Sequence, residues 1–232
     1  MSIYRQRETS VIKMLNKCVF FSMKNVFSIE KITPDLINKI FGVRLDDITY
    51  EDNPKMHNPK KSIYYQDLTV KSIQSQLINN GEINKSDKYG LTILHSICFK
   101  NTTYELLSFI LQNGGDQSIN KQDKYGWSPL FYLFDQELHH NHIPESFKKM
   151  FLLMLDSGAD INLKNKQGTT ILHHCCHVDL YKEKIKLLLE NDADPNINDK
   201  HGRILAHYLV DYCSDDYDLF IFALEKGMDI NR

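Results

Sequence analysis

Apolar segments with helical spacing recur through residues 64–232, and each follows the same polar turn. Four segments begin Asp/Asn-x-x-Gly and continue into an apolar run. Their glycines, Gly90, Gly126, Gly168 and Gly202, are 36, 42 and 34 residues apart. A second apolar segment closes each unit, as in LLSFILQNGGD at 106–116. A repeat of this length predicts stacked helical units that share one continuous core.

Each unit predicts two helices with defined ends. The glycine after the polar turn suits a positive φ, and a hydroxyl two residues later can cap the first helix. The second helix ends at a glycine in three units, whereas the LLLENDADPN unit has Asp192 there, where we expect local strain. The predicted caps are Thr92, Ser128 and Thr170, and the predicted core positions are Leu94, Leu130, Leu172 and the Leu-Leu pairs of the second helices.

The register of these motifs resembles the ankyrin repeat. The T-P-L-H-x-A signature of that family corresponds here to TILHSI (92–97), SPLFYL (128–133), TILHHC (170–175) and, poorly, ILAHYL (204–209). The resemblance implies an all-α ankyrin-repeat solenoid over residues 64–232, with about four full units after a degenerate first one. Residues 1–63 are then a helical N-terminal cap region with a linker.

The resemblance also implies that the chain recognises another protein through its hairpin tips and its inner, concave face. The tip row contains a lysine in every unit, which favours an acidic partner, and aromatic residues are common at interface hot spots. The residues at these positions are Lys88, Tyr89, Leu91, Lys124, Tyr125, Trp127, Tyr132, Lys166, Gln167, His174, Lys200, His201, Arg203 and Tyr208.

Charge and composition narrow the classes of partner. The formal net charge is −2, and residues 64–232 alone carry −6, so the sequence favours no nucleic-acid partner. No apolar stretch is long enough to span a membrane, and the N-terminus has no secretory signal pattern. Five cysteines without scaffold spacing indicate reduced thiols and a cytoplasmic protein. The sequence leaves the oligomeric state open.

The segment TTILHHCCH (169–177) is rich in the side chains that bind zinc. Register argues against a metal site, because His173 matches His95 and His207 as the signature histidine, and Cys175 falls at a core position. Neighbouring residues on a helix also point about 100° apart, so they do not converge on one ion. The group at His139, His140 and His142, in the longest unit, is interpreted as a solvated loop, with metal binding or pH sensing as the alternatives.

The sequence contains no catalytic motif of the nucleophile-elbow, P-loop, zinc-protease or kinase type. We therefore predict a non-enzymatic protein with no cofactor, and a Cys/His enzyme or metal protein is the weaker alternative. Residues 32–41, ITPDLINKIF, are somewhat similar to the start of an F-box, which implies an adaptor for a ubiquitin ligase as a second hypothesis. The richness of the repeats in Asn, Ile and Lys resembles ankyrin proteins of intracellular bacteria and poxviruses, so a host-targeted effector is a further expectation.

Overall fold

The computed structural model describes residues 83–100, 103–135, 143–177, 181–213 and 216–230. Within these ranges the chain forms eight α-helices and no strand, which confirms the predicted all-α class. The helices are α1 (Ile93–Lys100), α2 (Tyr104–Gln112), α3 (Pro129–Phe134), α4 (Glu145–Asp156), α5 (Ile171–Cys175), α6 (Tyr181–Glu190), α7 (Leu205–Tyr212) and α8 (Tyr217–Glu225). The N-terminal cap region, the F-box-like segment and the predicted boundary between residues 63 and 64 lie outside the described residues.

The helices form two rows that run along the stack. The first helices α1, α3, α5 and α7 contact one another in series, and among the second helices α2 contacts α4 while α6 contacts α8. Leu94, Leu130 and Leu172 are buried between the rows, as predicted. The Leu-Leu pair of α4 is an exception, because Leu152 is 44% exposed. Helix α4 turns Phe147, Met150, Phe151 and Met154 inward instead.

Each polar turn is built around the side chain of its first residue. The Oδ1 atom of Asp123 accepts the backbone N–H groups of Tyr125 and Trp127 at 2.8 and 2.9 Å. The same pair of hydrogen bonds is made by Asp87, Asn165 and Asp199 in the other three turns. One short side chain thus satisfies two backbone donors that the tight turn would otherwise leave unpaired.

Successive turns are joined by backbone hydrogen bonds. The N–H group of Lys124 donates to the carbonyl of Tyr89 at 2.9 Å. Lys166 donates in the same way to Tyr125 at 3.2 Å, and Lys200 to Gln167 at 3.1 Å. These bonds fix the order and spacing of the four turns along one edge of the stack.

The close approach of the turns explains the glycine in them. Gly126 has φ +86°, and a Cβ atom there would lie 2.5 Å from the backbone nitrogen of Lys166 in the next turn. Gly202 has a similar φ of +78° but no atom within 4 Å of its virtual Cβ. Asp192, the predicted exception among the helix-ending glycines, does adopt the left-handed region with φ 65°.

The signature histidines cap the first helices. Nδ1 of His95 accepts the backbone N–H of Thr92 at 3.0 Å, and its Nε2 bonds the carbonyl of Trp127 in the next unit at 3.1 Å. His173 accepts the N–H of Thr170 in the same way at 3.1 Å. The predicted hydroxyl cap is wrong for Ser128, whose side chain makes no capping bond. An imidazole three residues into the helix thus takes the part that Glu or Gln has in a capping box.

A row of asparagines links the loop segments between successive units. Asn120 donates from Nδ2 to the carbonyl of Gly158 at 2.8 Å and accepts the N–H of Asp160 on Oδ1 at 2.8 Å. Asn196 makes the equivalent pair with Gly227 and Asp229. Asn84 and Asn162 make one bond each of this kind. This row was not predicted from the sequence.

One lysine lies in the core. Lys184 of α6 is fully buried, and its Nζ donates to the carbonyl of Phe134 at the end of α3 at 2.8 Å. This bond satisfies a carbonyl at a helix C-terminus, where a positive charge is also favoured by the helix dipole. The bond connects α6, the second helix of the third full unit, to α3, the first helix of the second full unit.

We predict that Gly126→Ala destabilises the fold more than Gly202→Ala does. Both changes place a side chain at positive φ, which costs roughly 1–2 kcal/mol. Gly126→Ala also forces its Cβ into the backbone of the next turn, which adds at least about 1 kcal/mol. Urea denaturation of the two variants and the wild type measures the difference. Equal losses in the two variants would show that the turns are not in close contact.

We also predict a loss of stability in mild acid. Burial lowers the pKa of His95 and of His173 from 6.5 to about 4. Below pH 6.5 the unfolded chain therefore binds more protons than the folded one, so the free energy of unfolding falls as the pH drops from about 6.5 to about 4. The expected contribution is on the order of 3 kcal/mol for each histidine, and it is complete above pH 6.5.

A double variant, His95→Asn with His173→Asn, is the control for this pH dependence. It removes both titrating groups, so it should be less stable than the wild type at pH 7.5 but should lose less stability on going to pH 5. Denaturant titrations at several pH values give the comparison. Parallel curves for the two proteins would contradict the assignment to these histidines.

Candidate functional site

The tips of the four turns form a continuous polar edge, here called the loop-tip row. It consists of the second and third residues of each turn, namely Lys88, Tyr89, Lys124, Tyr125, Lys166, Gln167, Lys200 and His201. All four lysines and His201 are exposed, while Tyr89, Tyr125 and Gln167 are half-buried. The structure therefore leaves these eight predicted contact residues accessible to a partner.

Lysine and tyrosine side chains are in contact in the first two turns. The Nζ atoms of Lys88 and Lys124 each lie 4.9 Å from the centre of the Tyr89 ring. Lys124 also lies 4.8 Å from the centre of the Tyr125 ring. These distances are within the range of cation–π attraction, so the two ammonium groups are held over aromatic faces.

Five of the predicted contact residues are buried and do not form a surface. The expectation that they face a partner is corrected for all five, since each is at most 8% exposed. They are Leu91, Trp127, Tyr132, His174 and Tyr208. Leu91 is fully buried, and Trp127 packs edge-on against Phe131 with ring centres 4.6 Å apart. These side chains stabilise the stack.

The two buried tyrosines complete the turns of their own units. The hydroxyl of Tyr132 donates to Oδ2 of Asp123 at 2.8 Å, and Tyr208 donates to Oδ2 of Asp199 at the same distance. The third unit has neutral Asn165 instead of the aspartate, and there the corresponding residue is His174. An Asp followed nine residues later by Tyr is the sequence signal for this inward orientation, and it was not recognised from the helical spacing.

His174 bridges two units. Its Nε2 lies 2.9 Å from Oδ1 of Asp135, the residue after α3, and its ring packs edge-on against Trp127 at 4.9 Å. Its Nδ1 atom is buried without a hydrogen-bond partner among the described residues. The contacts place His174 at the junction of α3 and α5.

Arg203 is half-buried and bound within its own unit. Its Nε donates to Oδ2 of Asp199 at 2.9 Å, and one terminal nitrogen forms an ion pair with the same oxygen at 2.8 Å. The guanidinium also lies over the Tyr208 ring at 4.7 Å. Hydrogen bonds from backbone, tyrosine and arginine keep the pKa of Asp199 below its ordinary value despite its burial. Arg203 therefore stabilises the fourth turn through these contacts.

The cysteines have the environment of core residues. Cys98, Cys175, Cys176 and Cys213 are buried as free thiols. Burial raises the pKa of Cys175 to about 12 and that of Cys98 further still. A thiol of this kind is almost wholly protonated at neutral pH, so it is a weak nucleophile and a poor metal ligand. The predicted core position of Cys175 is confirmed.

The described part of the chain contains no group of three or more His, Cys, Asp and Glu side chains that could hold a metal ion. His139, His140 and His142 fall between α3 and α4, outside the described residues, and their role stays a prediction. No helix within the described ranges is long and apolar enough to cross a membrane.

Comparison with known proteins agrees with the register of the turns. The family description ankyrin repeats, in three copies, matches residues 140–232. An ankyrin repeat protein of Acanthamoeba polyphaga mimivirus is 29% identical over 126 residues, which is 54% of this chain and 15% of that protein. The chain therefore corresponds to a small part of this relative. Residues 140–232 therefore match ankyrin repeats, and the same turns, histidine caps and paired helices also occur in the described residues 83–135.

Proposed function

We propose that this chain is a protein-recognition module that contacts its partner through the loop-tip row. Ankyrin repeats generally mediate protein–protein interaction, and the proposal assigns that property to a particular edge of this stack. The observation that supports it is that the four positions of each turn have different structural roles. The first residue and the glycine form the backbone of the turn, whereas the lysine between them is exposed and the residue after it is exposed or half-buried.

The four turns differ mainly at the third position. They read Asp-Lys-Tyr-Gly, Asp-Lys-Tyr-Gly, Asn-Lys-Gln-Gly and Asp-Lys-His-Gly. The third residue contributes its backbone carbonyl to the bond between turns in three cases, so its side chain is not required for that bond. A fixed frame with changing side chains suits a surface that reads another protein at several points.

The family is typically non-enzymatic, and the chemistry of the described residues supports the same proposal here. The buried thiols have raised pKa values, and the signature histidines are committed to helix caps. The Cys/His enzyme or metal protein considered from sequence gains no support from these contacts. The F-box-like segment at 32–41 lies outside the described residues, and the adaptor hypothesis stays untested.

We further propose that the partner is a protein of a host cell and that recognition takes place in its cytoplasm. Support for this comes from the mimivirus relative and from the free thiols, which suit a reducing compartment. An effector role in a host cell is part of the same proposal.

Site-specific photocrosslinking tests the function. A photoreactive phenylalanine analogue replaces His201 in the loop-tip row in one variant and Leu152 on α4 in another. Both positions are exposed, and Leu152 belongs to a second helix, away from the turns. In Acanthamoeba lysate we expect a discrete protein adduct from His201 and none from Leu152, because only the tip side chains point at the partner.

As a control for folding, both variants must have unfolding temperatures close to that of the wild type. Adducts from Leu152 but not from His201 would place recognition on the second helices and refute the loop-tip assignment. Absence of adducts from both positions would contradict a protein partner in that cell.

A further inference from the structure

The lysines of the loop-tip row are held in a fixed register. Each lysine from the second turn onward donates its backbone N–H to the preceding turn, at 2.9–3.2 Å. The side chains of Lys88, Lys124, Lys166 and Lys200 are all exposed. The stack thus presents four positive charges in a row, one for each turn, on a backbone that is already ordered.

In the three turns that have an aspartate, this residue is less exposed than the lysine after it, and Asp87 of the first turn is half-buried. Asp123 and Asp199 are at most 5% exposed, and their oxygens are occupied by backbone N–H and tyrosine O–H groups. The third turn has neutral Asn165 at this position. Within the described ranges, no carboxylate is close enough to Lys88, Lys124 or Lys166 to form an ion pair. The lysines are therefore the most exposed charges of the four turns, and the loop-tip row is a basic edge in this sense.

The first two turns add aromatic support to this charge. Tyr89 lies beneath the ammonium groups of both Lys88 and Lys124, and Tyr125 also contacts Lys124. Ordering a long lysine side chain costs conformational entropy on binding, and contact with a ring reduces that cost. The third and fourth turns have Gln167 and His201 in place of the tyrosines. The strongest anionic contacts are therefore expected at the first two turns.

The basic edge contrasts with the rest of the repeats. Residues 64–232 carry a formal charge of −6, so an acidic partner is attracted to the loop-tip row and repelled elsewhere. A duplex nucleic acid, with its dense charge, would meet this repulsion over a wide area. The tyrosine faces are also covered by lysine, which leaves them less available for stacking on bases.

We infer that the loop-tip row binds an acidic segment of a partner protein. Carboxylates of that segment pair with the ammonium groups of Lys88 and Lys124, which lie over the Tyr89 ring. This inference rests on the proposed function and adds the chemistry of the partner. The acidic segment lies along the row and meets one lysine per turn.

A peptide titration tests the inference. The probe is a fluorescein-labelled peptide of about twelve residues with alternating Glu and Gly, and the matched peptide has Gln for Glu. The tip variant carries Lys88→Gln, Lys124→Gln and Lys166→Gln. The control variant carries Lys148→Gln, Lys149→Gln and Lys226→Gln, three exposed lysines away from the turns. Both variants lose the same charge.

We expect fluorescence anisotropy to show binding of the Glu peptide to the wild type and no binding of the Gln peptide. The tip variant should bind about tenfold more weakly, and the control variant within about twofold of the wild type. Raising the salt from about 50 to about 200 mM should weaken binding of the Glu peptide.

Equal losses in the two variants, or equal binding of the two peptides, would overturn the inference. Tighter binding of a single-stranded oligonucleotide than of the Glu peptide would also overturn it, since the row would then select nucleic acid. A His201 adduct in the crosslinking experiment combined with failure of the Glu peptide would reject only the acidic chemistry. Loss of the adduct would reject the proposed function itself.

Discussion

The hydrogen bonds from one side-chain oxygen to two backbone N–H groups in each turn are the interaction on which the other features depend. Oδ1 of Asp87, Asp123, Asn165 or Asp199 closes the turn and orients the chain that enters the first helix. Because the turn is closed, its backbone is free to bond the neighbouring turn. The exposed lysine, the capping histidine and, in two units, the buried tyrosine each lie a fixed number of residues after the first residue of this turn.

The repeated units could be predicted from sequence because their signals are local and occur four times. Glycine, the Asp/Asn at the turn and the apolar spacing each report a property of the backbone nearby, so alignment of the units gave the helical class and the core. Leu152 shows the limit of that reasoning, since the helix containing it has more apolar residues than inward positions. Phe147, Met150, Phe151 and Met154 fill the interior, which leaves Leu152 outside.

The candidate site was predicted less well than the fold. Exposure of Lys88, Lys124, Lys166 and Lys200 followed from their place at the tips. The burial of Tyr132 and Tyr208 depends on a hydrogen bond to an aspartate, a pairing that helical spacing does not reveal. Lys184 was also beyond sequence reasoning, because α6 contains three lysines and only packing against α3 selects the one that enters the core.

The backbone hydrogen bonds that join successive turns form a ladder. Their acceptors are the carbonyls of Tyr89, Tyr125 and Gln167, and every amino acid has such a carbonyl. Replacing the side chain at the third position of a turn therefore leaves the ladder bond in place. In the first two turns it also removes a half-buried ring that packs against the core, whereas His201 in the fourth turn is exposed. New binding preferences can thus arise most readily by single substitutions at exposed tip positions such as His201, with the bonds between turns retained. This separation of specificity from stability gives the stack a route by which its partner can change during evolution while the fold is retained.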